Sequence, residues 1–138
     1  EISATRPKDF VIGADQILEC AGTAFDKPKD RAQAAAHLRR LRGQTHRLMT
    51  ACTIYRAGAE VWSHIGAPRL TMRTFDDDFI DAYLKRAGDA VLSSVGAYQL
   101  EGLGAHLFDS INGDYFSILG LPMLPLLAFL RQEGLLGL

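Results

Sequence analysis

One helix has both of its ends marked in the sequence, and it determines how the segments on either side are interpreted. Asp30 is a favourable N-cap, the residues after it are rich in alanine, leucine and arginine, and Gly43 is a common helix terminator. Basic residues in the last turn complement the helix dipole. The side chains predicted to share its buried face are Ala34, Ala35, Leu38 and Leu41.

Strand-forming segments flank this helix. Residues 9–25 predict a buried strand whose end presents Asp15, followed by a hairpin turn at Ala21-Gly22-Thr23. After the helix, the residues predict strands over Thr45–Tyr55, Glu60–Ile65 and Pro68–Thr74, with a turn at Arg56-Ala-Gly58. Pro68 is expected at a sheet edge or a bulge because it lacks a backbone N–H.

The C-terminal half predicts further short elements. Acidic residues Asp76 to Asp78 favour the start of a second helix, which reaches Arg86 and is closed by Gly88. Glycine-punctuated sequence then predicts a short helix around 104–110, a short strand at 114–119 and a final helix from Pro122 to about Glu133. The alternation of helices and strands predicts one α/β or mixed α/β domain over residues 1–138.

Composition excludes several functional classes. The formal net charge is -1, so the basic surface expected of a protein that binds a nucleic acid polymer is missing. The most apolar stretch, Ile118–Leu130, contains two prolines and is shorter than the roughly 20 residues of a membrane span. Cys20 and Cys52 are far apart and are expected to be buried free thiols, which favours a reducing, cytoplasmic compartment.

Two short segments carry candidate chemistry. Asp15, beside a glycine in a predicted strand, could orient a water or hold a divalent metal; the alternative is a solvated acid or a cap. Lys27, before a rigid proline and a helix N-terminus, could contact phosphate oxygens; the alternative is an ordinary surface lysine.

A glycine-rich loop from Gly96 to Gly104 is the third candidate. It surrounds Tyr98, Gln99 and Glu101, so backbone amides could approach a ligand and a carboxylate could contact a base; the alternative is a tight turn with a core tyrosine. No phosphate-binding fingerprint of the P-loop or dinucleotide type is present. The four histidines lack metal-ligand spacing and are expected to be ordinary polar or half-buried residues, and Ser93-Ser94 lacks the elbow motif of serine hydrolases.

The order and spacing of these segments resemble the Maf family. The resemblance is carried by Gly13-Ala-Asp-Gln16, Asp26-Lys-Pro-Lys29, Leu41-Arg-Gly-Gln-Thr-His46, Val95-Gly-Ala-Tyr-Gln-Leu-Glu-Gly-Leu-Gly104, Ile111-Asn-Gly-Asp-Tyr115 and Gly120-Leu-Pro122. It implies an elongated mixed sheet flanked by helices, as in the ITPase-like pyrophosphatases, and metal-dependent cleavage of nucleoside triphosphates to nucleoside monophosphate and pyrophosphate.

The resemblance also implies residue roles. Asp15 corresponds to the family's catalytic proton acceptor and to a ligand of Mg²⁺ or Mn²⁺, and Lys27 corresponds to a phosphate-contacting lysine. Gln16 and Glu101 occupy two positions that sort substrates, and their combination resembles the 7-methyl-GTP pyrophosphatase branch rather than the dTTP and UTP branch. A carboxylate suits guanine because it accepts hydrogen bonds from N1–H and N2–H₂.

The family's N-terminal Ser-x-Ser-Pro-Arg-type segment, whose serine and arginines hold the triphosphate, has no counterpart before Glu1. The 138 residues are therefore expected to correspond to the C-terminal two-thirds of the family domain. Two further functions stay open: a nucleotide-binding or septum-related regulatory protein with little catalysis, and a structural or dimerisation role. The expected partners are a nucleoside triphosphate and, in a homodimer, a second copy of the chain.

Overall fold

The computed structural model describes every residue from Glu1 to Leu138 and contains one six-stranded sheet. The strands are β1 (Val11–Cys20), β2 (Thr23–Phe25), β3 (Thr45–Arg56), β4 (Ala59–Gly66), β5 (Arg69–Met72) and β6 (Phe108–Asn112). The helices are α1 (Ile2–Thr5), α2 (Arg31–Leu41), α3 (Asp77–Ala87), α4 (Tyr115–Leu119) and α5 (Met123–Gln132). Three short 3₁₀ segments cover Gly88–Ser93, Val95–Ala97 and Leu103–Leu107. No helix is both long enough and apolar enough to cross a bilayer.

Strand β3 organises the sheet. Residues Arg47–Tyr55 pair with β1 on one edge, and on the other edge β3 pairs first with β5 (Thr45–Arg47) and then with β4 (Thr50–Arg56). Strands β4 and β5 therefore lie end to end beside β3, and the carbonyl of Pro68 accepts a hydrogen bond from the N–H of Leu48 at the break between them. The sheet order is β2-β1-β3-β5-β6, with β4 beside β3.

Tight turns at two hairpins explain much of this topology. The β1–β2 turn has positive φ at Ala21 (50°) and Gly22 (79°), and the β3–β4 turn has positive φ at Ala57 (51°) and Gly58 (81°). Positive φ at both central residues is the geometry whose twist matches two antiparallel strands. The predicted turns at both places are confirmed.

One face of the sheet carries the core. Alternation along β3 buries five side chains on that face: His46, Leu48, Thr50, Cys52 and Ile54. The end of this face near Leu48 packs in the main core with α2, α3 and the 3₁₀ segments, whereas Cys52 and Ile54 pack in a smaller cluster with Leu126 and Phe129 of α5. Thr50 lies between the two clusters, which creates a boundary across the middle of the sheet.

The α/β class and most predicted elements are confirmed. Helix α2 is capped by the Asp30 carboxylate, which accepts a hydrogen bond from the N–H of Gln33, and Asp76 caps α3 in the same way. The four side chains expected on the buried face of α2 are buried, and both cysteines are buried free thiols.

Four details differ from the predictions. Every strand pairing is antiparallel rather than mixed. The predicted strand at 114–119 is wrong: α4 occupies this segment because Asp114 caps it and Gly120, at φ 116°, ends it, while the strand lies earlier, at β6. The short helix expected around 104–110 is a 3₁₀ segment ending at Leu107. Asp15 lies within β1 rather than at its end, because pairing with β3 continues to Glu19.

His46 also differs from its prediction, because it lies in the main core with only 1% of its surface exposed. Its Nε2 is 2.8 Å from the hydroxyl of Tyr98, and its Nδ1 has no hydrogen-bond partner. Burial lowers the pKa of His46 to about 4 and raises the pKa of Tyr98. Both groups are therefore neutral in the folded protein near neutral pH.

This burial predicts a pH-dependent stability. Because the folded pKa of His46 lies below the model value of 6.5, the unfolded chain binds more protons between these two values. The free energy of unfolding is therefore unaffected by His46 above about pH 6.5 and falls as the pH drops towards 4. Between pH 7.5 and pH 5 the loss is about 2 kcal/mol.

Urea unfolding of the wild type and His46→Gln at both pH values measures this loss. Glutamine offers Tyr98 a hydrogen-bonding partner without a titratable group, so we expect the loss on acidification to be smaller by that amount. The exposed His106 provides the control, since His106→Gln should unfold with the wild-type pH dependence. An identical loss of unfolding free energy in His46→Gln and wild type would show that His46 does not cause the pH dependence.

Candidate functional site

Two adjoining cavities lie beside the main core, among β1, the glycine-rich loop and α4. The inner cavity lies among Gln16, Tyr98, Glu101 and Ile118, and the outer cavity lies among Asp15, Gln16, Lys27 and Ser94. Gln16 lines both of them. Their volumes are about 50 Å³ and 280 Å³, so together they just exceed the lower bound of roughly 300 Å³ for small-molecule sites.

All four residues singled out from the sequence line these cavities. Asp15 and Lys27 line the outer cavity, Glu101 lines the inner one, and Gln16 joins them. They come from β1, from the loop before α2 and from the glycine-rich loop before β6, so the fold brings together three distant segments. The two cavities thus hold carboxylates, a cation and an amide at one place.

Asp15 reaches the outer cavity from the edge of β1. Strand β2 pairs only with residues 18–20 of β1, so the segment around Asp15 has β3 on one side and no strand on the other. The carboxylate Oδ1 accepts a hydrogen bond from the N–H of Gln16 at 2.8 Å. Asp15 is otherwise exposed, which leaves the rest of its carboxylate available to a water or a ligand.

Lys27 is held in place by its neighbours in the chain. Phe25 and Pro28 are both buried, so the loop is anchored on each side of the exposed lysine. The first turn of α2, which follows this loop, does not line the outer cavity. Its N–H at Gln33 is instead bound by Asp30. The cation in the outer cavity is thus supplied by the Lys27 side chain alone.

Gln16 ties β1 to β3 and α4. Its Nε2 donates to Thr50 Oγ1 and to the carbonyl oxygens of Ser117 and Ile118, each at 3.0 Å. The Thr50 hydroxyl in turn donates to the Ser117 carbonyl at 2.7 Å. These contacts hold α4 beside the two cavities.

The loop that carries Glu101 is shaped by close backbone contacts. The N–H groups of Gly102 and Gly104 both donate to the Gln99 carbonyl at 3.1 Å. A Cβ at Gly104 would lie only 2.4 Å from that oxygen, so no larger residue fits without moving the loop. Tyr98, at the start of the loop, is a core residue as well as part of the inner cavity lining.

Sequence reasoning missed several polar groups at the site. Ser93 and Ser94 line the outer cavity. The buried Thr50, through its hydroxyl, and Ser117, through its carbonyl, accept hydrogen bonds from Gln16. Thr50 falls within the alternating pattern of β3, where a polar residue among apolar neighbours on the buried face was the available signal. Ser117 was misassigned to a strand, so no signal there could be interpreted correctly.

Comparison with known families agrees with this geometry. A family model described as Maf-like protein matches residues 1–133. The chain belongs to the Maf family. The match covers the strands, the loop before α2 and the glycine-rich loop that together surround the two cavities.

Curated Maf relatives are similar over nearly all of the chain. A nucleoside triphosphate pyrophosphatase from Nitrobacter hamburgensis is 56% identical over 137 residues, which cover 99% of the chain and 68% of the relative. A 7-methyl-GTP pyrophosphatase from Rhizobium etli is 55% identical over 134 residues, covering 97% and 67%. A nucleoside triphosphate pyrophosphatase from Hyphomonas neptunium is 57% identical over 135 residues, covering 98% and 68%. The chain thus spans about two thirds of the length of these Maf proteins.

The Maf resemblance implies a divalent metal, and the donor set at the site limits how one could bind. No group of three or more His, Cys, Asp or Glu side chains is close enough to hold a metal ion. Mg²⁺, however, usually keeps several waters and takes one or two carboxylates together with substrate phosphates. Asp15, exposed beside the outer cavity, fits this kind of shared site rather than an all-protein one.

Proposed function

We propose that the chain hydrolyses nucleoside triphosphates to nucleoside monophosphate and pyrophosphate, with the phosphates in the outer cavity and the base edge in the inner one. The observation that carries this proposal is the placement of Asp15 and Lys27 in one cavity that adjoins the cavity of Glu101. The names of the 54–57% identical relatives support the same activity.

Each charged group has a role that follows from its chemistry. Asp15 orients a water and accepts its proton as the oxygen attacks phosphorus, and the P–O bond to pyrophosphate breaks. Lys27 places a fixed positive charge beside the phosphate oxygens, which stabilises the charge of the transition state. A Mg²⁺ or Mn²⁺ ion held by Asp15 and the phosphates would supply further charge neutralisation.

The proposal includes the setting of the activity. We place the chain in the cytoplasm, in maintenance of the nucleotide pool, and its two free buried thiols agree with a reducing compartment. The substrate is a nucleotide rather than a nucleic acid polymer, which agrees with the near-zero net charge. Homodimer formation is also part of the proposal.

Nucleotide binding and turnover together test the proposal. Thermal unfolding is followed with GTP, 7-methyl-GTP, dTTP and UTP, each with Mg²⁺ or Mn²⁺, and pyrophosphate release is measured in the same samples. A raised melting temperature with pyrophosphate release supports the enzyme. A raised melting temperature without release would instead support a nucleotide-binding regulatory protein, and no shift with any nucleotide would favour a structural role.

Base preference gives a sharper prediction. Ionised Glu101 only accepts hydrogen bonds, which suits the two adjacent donors of guanine and disfavours the acceptors of thymine and uracil. We therefore expect kcat/KM to favour 7-methyl-GTP or another purine nucleotide over dTTP and UTP. Glu101→Gln combined with Gln16→Thr should shift this ratio towards pyrimidines by about tenfold, which corresponds to about 1.4 kcal/mol.

The controls for this experiment follow from the contacts. Gln16→Thr also removes three hydrogen bonds to β3 and α4, so each single variant is measured with its urea stability. Glu133→Gln makes the same chemical change at an exposed position outside the cavities and should leave the ratio unaltered. A wild type that already prefers dTTP, or a double variant with the wild-type ratio, would show that these side chains do not select the base.

A further inference from the structure

We propose that Thr50 is a positioning residue for base selection: its hydroxyl fixes the place and orientation of the Gln16 amide, so that Gln16 presents its carbonyl oxygen to the nucleotide. This inference rests on the proposed function and concerns how the same site distinguishes bases. Thr50 is completely buried, so it acts through Gln16 rather than by touching a ligand.

The partners of Gln16 determine which end of its amide faces inward. Its Nε2 contacts the carbonyl oxygens of Ser117 and Ile118, which can only accept hydrogen bonds, and also Thr50 Oγ1. The reversed amide would place Oε1 against the two carbonyl oxygens, which can only accept, and would lose the hydrogen bonds that Nε2 donates. The amide nitrogen is therefore fixed on the protein side.

The Thr50 hydroxyl completes this arrangement because its own proton is already committed. It donates to the Ser117 carbonyl at 2.7 Å, so towards Gln16 it can only accept. One hydroxyl thus holds α4 at Ser117 and receives the Gln16 amide at 3.0 Å. Gly66 of β4 also packs closely against α4, since an added Cβ at Gly66 would be 2.6 Å from Ser117 Oγ.

The other end of the amide is free for a ligand. Gln16 Oε1 has no hydrogen-bond partner, and it is not among the buried unpaired atoms, which belong only to His37 and His46. Gln16 lines both cavities, and Glu101 lines the inner one. The two side chains thus offer acceptors to one ligand, which suits a base edge rich in donors, as guanine has, and disfavours uracil, whose single ring N–H is flanked by two carbonyls.

Removing the hydroxyl while keeping the side-chain shape separates this role from packing. Thr50→Val puts a methyl group where Oγ1 makes contacts of 2.7 Å and 3.0 Å. Carbon atoms need roughly 3.5 Å or more, so the Gln16 amide must move by about 0.5 Å and the Ser117 carbonyl by about 0.8 Å. Thr50→Ser keeps the hydroxyl and is the matched control.

The experiment measures dissociation constants of α,β-methylene GTP and α,β-methylene UTP by calorimetry for wild type, Thr50→Val and Thr50→Ser. The methylene bridge prevents hydrolysis at the α–β linkage, so the readout does not depend on turnover. We expect wild type and Thr50→Ser to favour the guanine analogue equally. Thr50→Val should lose about tenfold of this preference, equivalent to about 1.4 kcal/mol. Global destabilisation alone would weaken both analogues alike and leave their ratio unchanged.

Each outcome decides the inference. An unchanged ratio in Thr50→Val, or an equal change in Thr50→Val and Thr50→Ser, overturns it, and GTP hydrolysis by the wild type would then show that the proposed function still stands. Binding of neither analogue by the wild type would overturn both proposals. If Thr50→Val does not fold, Thr50→Ala removes the hydroxyl without adding the crowding methyl, and it must also lower the preference for the guanine analogue.

Discussion

Replacement of Asp15 by asparagine should lower kcat by roughly 10²–10⁴-fold, the usual contribution of a general base. Asparagine keeps the size of the side chain and an acceptor oxygen for the N–H of Gln16, so the local structure of β1 should survive. It cannot take a proton from water, and it is a poorer ligand for a divalent cation than a carboxylate. Nucleotide binding is therefore expected to persist while turnover is lost.

Steady-state kinetics with 7-methyl-GTP and GTP measure this effect. Asp81→Asn makes the same change on the exposed surface of α3, outside both cavities, and should retain wild-type kcat. Melting temperatures of the two variants should match that of the wild type within a few degrees. Turnover by Asp15→Asn close to that of Asp81→Asn would remove Asp15 from the chemical step.

Replacement of Gly104 by alanine should destabilise the protein by about 3 kcal/mol, at the upper end of the usual range for overpacking. The added Cβ would lie 2.4 Å from the Gln99 carbonyl oxygen, 2.8 Å from its carbon and 2.9 Å from the Gln99 nitrogen. These are backbone atoms, so the loop itself must move rather than a flexible side chain. Because Glu101 lies within that loop, we also expect weaker binding of guanine nucleotides.

Gly102 provides a control within the same loop. A Cβ there would lie 3.8 Å from its nearest neighbour, the Gln99 carbonyl oxygen, which is an ordinary contact. Urea unfolding should therefore show a small change in free energy for Gly102→Ala and a large one for Gly104→Ala. Equal stability of the two variants would mean that the loop is not constrained at Gly104.

The parts of the fold that the sequence predicted are those governed by local signals. Helix α2 carries its own cap and terminator, and the hairpin at Ala21-Gly22 has a glycine at one of its two positive-φ positions. The prediction of a strand at 114–119 was wrong because the aromatic and apolar residues there suit a strand or a helix. The decisive feature was the helix cap that Asp114 provides. The end of β1 is set by its pairing with β3, which continues beyond Asp15. This pairing joins segments that are distant in the sequence, so local residues did not indicate it.

In the site too, local motifs were predicted and long-range contacts were not. The motifs identified Asp15, Gln16, Lys27 and Glu101 individually, and their spacing suggested one family, so their common location could be expected. What could not be expected was the contact of Gln16 with Ser117, because 101 positions separate these residues along the chain. The burial of His46 was also missed, since its neighbours Tyr98 and Phe108 come from distant segments.

Product identification shows whether the chain cleaves nucleoside triphosphates between the α and β phosphates. The chain is incubated with 7-methyl-GTP or GTP and either Mg²⁺ or Mn²⁺, and the nucleotides and phosphates are separated by ion-exchange chromatography, with Asp15→Asn treated in parallel. We expect nucleoside monophosphate and pyrophosphate in equal amounts from the wild type, and greatly reduced amounts from the variant. Nucleoside diphosphate with inorganic phosphate, equal products from both proteins, or no product from a chain that binds the nucleotide would contradict it.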